Sequence, residues 1–103
     1  MATQHVYLVT FNLWRTGRAA LADLEEELTR GQWAHWFDHV WFVVREEAPD
    51  DYARRIHELL HPRDFCFVVE MTEAVVSGWL PDDGWTWLQK HLKDRTGVAH
   101  AEP

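Results

Sequence analysis

From His5 to Leu13 apolar side chains fill both phases of a two-residue alternation: Tyr7, Val9, Phe11 and Leu13 on one side, Val6, Leu8, Thr10 and Asn12 on the other. A strand covered on both faces is predicted, and its polar tip runs into Arg15 and Arg18. The period then changes. Leu21, Leu24 and Leu28 recur at helical spacing, with Thr16 placed as a cap, Glu26 four residues before Arg30, and Gly31 as the stop.

Residues 32–46, "QWAHWFDHVWFVVRE", hold two aromatic and β-branched runs broken by the polar step Asp38-His39, which predicts two strands and a tight connection. Pro49, followed by Asp50 and Asp51, opens a second helix with Tyr52, Ala53, Ile56, Leu59 and Leu60 as its buried stripe and Pro62 beyond its end. "DFCFVVEMT", Asp64 to Thr72, is a further strand apolar on both faces, with Glu70 its polar member. "AVVSGWL" predicts a short edge strand. Pro81, Asp82 and Asp83 start a last helix, with Trp85, Leu88 and Leu92 on one face, Lys90, Lys93 and Arg95 near its end, and Gly97 closing it.

The predicted order is β-α-β-β-α-β followed by a strand and a helix. This is an α+β, ferredoxin-like antiparallel sheet with a C-terminal appendage, in one domain over residues 1–97 and a tail over 98–103. Both helices of such a unit lie on one face of the sheet. The other face is apolar here as well, so a second copy or the last helix is expected to cover it.

With 103 residues the chain accommodates a single core. Its 47% hydrophobic and 26% charged residues are the balance of a folded protein. A formal charge of -7 repels nucleic acid and anionic membrane, so phosphate binding would have to be local. Cys66 is the one cysteine, which excludes an intrachain disulfide, and between two phenylalanines it reads as an inert core residue. No apolar run approaches the roughly 20 residues of a membrane span, and the start "MATQHVYLV" has no basic region before an apolar one. A cytoplasmic protein is expected. Seven tryptophans exceed what a small core absorbs and point to self-association.

The succession of "YLVTFNL", "GQWAHWFDHVWFVV", a proline-opened helix and "DFCFVVEM" resembles the small CRISPR-associated endoribonuclease family. The resemblance is closer to that family's uncharacterised bacterial relatives, whose pattern adds "GWLP" before a final Trp-containing helix. It spans roughly residues 5–93. It implies a ferredoxin-like homodimer with sheets packed face to face and an acidic residue at the tip of each first strand, on the dimer axis. Members are metal-dependent nucleases or the dimer that spans DNA between two integrase dimers. Here the matching position holds Asn12 in place of the aspartate.

Mg²⁺ or Mn²⁺ is held by carboxylates, whose charge an amide oxygen does not replace. Asn12 therefore implies a catalytically weakened scaffold or interaction module, with the amide bonding its own copy or capping a loop. A nuclease that uses another carboxylate, Glu70 or Asp38, is the alternative. Trp14, placed to stack on a base, and Arg15 and Arg18, flanking a helix start, are the candidate nucleic-acid contacts; the arginines equally suit pairing with nearby acids. A third reading, a haem or small-ligand-binding dimer, would use Asn12 with His57 or His61 as an iron ligand. His57 and His61, four apart, lack supporting ligands at motif spacing, whereas His35 and His39 share a face if their strand is regular. The acid pairs Asp50-Asp51 and Asp82-Asp83 are explained by helix starts, and no nucleotide-loop, triad, zincin or dithiol motif occurs.

Overall fold

The fold is that of a computed structural model, which describes residues 3–72 and 77–92. Its elements are β1 (His5–Asn12), α1 (Arg18–Leu28), β2 (Trp33–Phe37), β3 (Val40–Arg45), α2 (Pro49–Glu58), β4 (Phe65–Glu70) and α3 (Asp82–His91). The four strands form one antiparallel sheet in the order β2-β3-β1-β4. This is the expected α+β, ferredoxin-like arrangement, in which each helix-linked pair of strands is separated by a strand from the other pair.

Register explains why β1 is apolar on both sides. Tyr7 lies across from Val43, and Val9 from Trp41 and Val68. These residues face α1 and α2, where Tyr7, Val9, Leu24, Leu28, Val43, Tyr52 and Ile56 form a sealed core. Each aliphatic side chain buried there contributes about 1.5–3 kcal/mol. The alternate residues, Val6, Leu8, Phe42 and Val44, face the other way, where α3 packs Trp85, Leu88 and Leu92 over Val6 with Trp36 and Val44 at the margin.

The last helix therefore covers one end of the second face. Its close approach needs Gly84, because a Cβ there would come within 3.1 Å of the Trp36 ring and of Leu80. The other end stays bare. Phe67, Thr10, Val40 and Phe37 form one rung across all four strands, and Phe65 faces Asn12 in the next. Phe65 and Phe67 are 63% and 64% exposed, with Phe37 and Val69 also open.

Local departures have physical causes. Gly17, not Thr16, caps α1, because the Thr16 hydroxyl is engaged by Asp64. Arg30 pairs with Glu27 and Glu47 instead of Glu26. Gly31 ends the α1 turn at φ 69, a left-handed backbone that suits glycine. Of the short edge strand expected over "AVVSGWL", residues 74–76 lie outside the described residues and Ser77–Leu80 form no strand. Lys93, Arg95, Gly97 and the tail 98–103 also lie outside them. No helix among the described residues is long and apolar enough to cross a membrane.

Candidate functional site

The tip of β1 is where the candidate residues gather. Asn12 is its last residue, exposed to solvent and opposite Phe65 of β4. The loop from Leu13 to Gly17 then folds around one buried carboxylate. Asp64 accepts hydrogen bonds from the backbone N–H of Arg15 at 2.9 and 3.2 Å, from the backbone N–H of Thr16 at 2.8 Å, and from the Thr16 hydroxyl at 2.7 Å. The same hydroxyl oxygen accepts from the backbone N–H of His61 at 3.1 Å, so the loop is tied to the segment that follows α2. Burial pushes the Asp64 carboxyl up, but the Thr16 hydroxyl and the N–H groups of residues 14–16 outweigh it and hold the pKa at about 2.

This clamp presents Trp14 outward. The indole is 62% exposed and meets Phe65 edge-on at 5.6 Å between ring centres. Arg15 is half-exposed, with a guanidinium nitrogen 3.9 Å from Asp64, and Arg18 is exposed at the first position of α1. Trp14 and Arg15 thus share one loop, with Arg18 at the start of the helix that follows it, next to the bare end of the sheet.

On the helix side of the tip lies a cavity of about 500 Å³, lined among others by Asn12, Glu25, His35, Asp38, His39 and Trp41. The regular strand that would put His35 and His39 on one face is interrupted by a register shift between Ala34 and Phe37 and by the turn that holds His39. The two imidazoles still reach the same cavity by different routes. His35 stacks on Trp41 with ring centres 3.7 Å apart and planes 9° from parallel, and its Nε2 lies 3.1 Å from the Asp38 carbonyl. His39 meets the Phe11 ring edge-on at 6.4 Å.

The other candidates lie elsewhere. Glu70 pairs with Tyr7 in the register, five residues along β4 from Asn12's partner Phe65, and its carboxylate is 2.6 Å from His5 Nδ1. That is about 17 Å of strand from the tip. His57 Nε2 is 3.2 Å from the Asp64 carbonyl, and His61 Nδ1 accepts from the backbone N–H of Arg63. Neither lines the Asn12 cavity. Cys66 is half-buried in β4, and burial raises its thiol pKa. Among the described residues no group of three or more His, Cys, Asp or Glu side chains is placed to hold a metal ion.

Sequence reasoning missed Glu27. Its carboxylate receives Arg55 at 2.7 and 3.0 Å, Arg30 at 3.0 and 3.1 Å, Arg45 Nε at 3.1 Å and the Tyr52 hydroxyl at 3.1 Å. Burial pushes this carboxyl up, but the hydrogen bonds from Arg55, Arg30 and Arg45 bring it down to about 2. Burial likewise raises the pKa of Tyr52. The signal was present: Glu27 is three residues past Leu24 and next to Leu28, on the apolar stripe of α1, where a carboxylate needs a buried cation.

Comparison with protein-family models, with curated proteins and with solved structures gives no match.

Proposed function

We propose that this protein is a homodimeric interaction module, a relative of the CRISPR-associated endoribonuclease family in which the strand-tip site has lost its charge and the dimer acts as a scaffold. The observation that carries this reading is the bare end of the sheet. Phe37, Phe65, Phe67 and Val69 form an exposed apolar patch beside Asn12 on a chain of charge -7. Soluble monomers seldom leave such a patch open.

A second copy is the occupant that fits. A two-fold axis sets like against like, and two strongly acidic chains repel least where both present uncharged rings. With Asn12 at the margin of that contact, each amide offers both a donor and an acceptor to its mate. Trp14, Arg15 and Arg18 would then lie on the rim of the dimer, available to a nucleic-acid or protein partner.

Light scattering after gel filtration tests the interface: the natural protein should run as a dimer and Phe67→Asp as a folded monomer. A monomeric natural protein would remove the basis of the reading. The lost site is tested by incubating the natural protein and Asn12→Asp with RNA and duplex DNA in Mg²⁺ or Mn²⁺. The natural protein should not cut. Metal-dependent cutting by the natural protein would favour the nuclease alternative and direct attention to Asp38, the carboxylate that shares a cavity with Asn12.

A further inference from the structure

We infer that the cavity between α1 and the β2–β3 hairpin is a binding site for a guanidinium group. This goes beyond the dimer reading, because the cavity opens on the helix side of the sheet and not on the bare face. Its volume, about 500 Å³, is in the range of ligand sites.

Three features select the ligand. First, the cavity has two carboxylates, Glu25 from α1 and Asp38 from the hairpin turn, and no ion pair joins either to a cation among the described residues. The contrast with Glu27 is direct. On the same helix, two residues later, that carboxylate is fully occupied by three arginines. Second, the cavity has a flat aromatic wall: His35 lies parallel on Trp41, and the imidazole is exposed. A delocalised planar cation stacks on such a surface, while a strongly hydrated ammonium gains less from it. Third, Asn12 at the end of β1 lies on the rim of the cavity. A guanidinium has five N–H donors in a fixed fork and no acceptor, so it suits a cavity that offers two carboxylates. Phosphate-bearing ligands are disfavoured by the same two carboxylates.

The group could belong to a free small molecule or to an arginine of a protein partner, and the test separates them. Calorimetry with the full chain at pH 7 compares N-acetyl-arginine amide with its lysine and citrulline counterparts. The arginine compound should saturate with a Kd of about 1 mM or tighter, and the other two should bind at least about tenfold more weakly. Glu25→Gln/Asp38→Asn, both exposed positions, should weaken the arginine compound by at least about tenfold, while Glu46→Gln, an exposed acid outside the cavity, should not change it. Agmatine binding more tightly than a peptide with central arginine identifies a small-molecule site; the reverse order identifies a protein partner. Absence of saturation by any guanidinium compound, equal binding of the lysine compound, or unchanged binding by the double variant would overturn the inference.

Discussion

Glu27 and Asp64 are both buried carboxylates held at about 2, yet they do different work. Glu27 is served by side chains from two elements and a loop: Arg45 of β3, Tyr52 and Arg55 of α2, and Arg30 just beyond α1. Asp64 is served by the backbone of one loop and by the hydroxyl of Thr16. The first joins helices to sheet at the end already sealed by side chains. The second gives shape to the loop that displays Trp14 at the open end. A charge matched by charges is a structural weld, and a charge matched by N–H groups is a template for a loop.

The largest effect should follow from neutralising the weld. Glu27→Gln leaves Arg45 buried beside an amide, and breaking one side of a buried pair costs about 3–5 kcal/mol. In a domain whose total stability is about 5–15 kcal/mol, urea unfolding should move to a much lower midpoint. A change below about 1 kcal/mol would show that the arginines find other partners.

Acid should act on the same residue. In the unfolded chain Glu27 titrates near 4.5 and in the folded one near 2, so its contribution is complete above about pH 4.5 and is lost as the pH falls toward 2. The loss amounts to about 3 kcal/mol at 1.4 kcal/mol per pH unit. Asp64 adds to the slope in the same direction, from 3.8 down to about 2. Unfolding free energy measured from pH 6 to pH 2 should therefore fall steeply in the natural protein and less steeply in Glu27→Gln.

Asp64→Asn should cost less than Glu27→Gln, since the loop N–H groups can turn to water. Its signature is local. The amides of Arg15 and Thr16 should lose hydrogen-exchange protection while those of β1 keep theirs. Loss of protection throughout β1 would mean that Asp64 supports the sheet and not only the loop.

The same contrast marks what could be read in the chain. Period-two and period-3.6 patterns announced every strand and helix of the sheet unit, because each buries a continuous apolar face, and Pro49 and Gly31 marked their ends. Glu27 escaped notice because charge on a helix is ordinarily a wet face, and three arginines spread from residue 30 to residue 55 carry no local motif. Asp64 opens an apolar run and so reads as the start of a strand, because its partners, residues 15 and 16, are brought to it only by the β1–β4 pairing. The cavity at Asn12 had the same obstacle. His35 and His39 share a face only if their strand is regular, and they reach one cavity through a register shift and a turn. The half-covered second face depended on how far α3 reaches, which Gly84 and Trp36 decide.

The smallest effect separates an open end from a closed one. Asn12 is exposed in the single chain, so Asn12→Asp should leave monomer stability within about 0.5 kcal/mol. If two copies meet across the bare end, the substitution brings two carboxylates near the same axis. Unit charges about 4 Å apart in water repel by about 1 kcal/mol, enough for a several-fold weaker dimer at low salt. Mg²⁺ should reverse this in Asn12→Asp, because a divalent ion between two carboxylates turns repulsion into bridging, and should not affect the natural amide. Sedimentation of both proteins with and without Mg²⁺ measures the difference. A dimer that ignores both the substitution and the ion would put Asn12 away from the axis, and the apolar end would then pair in a different orientation.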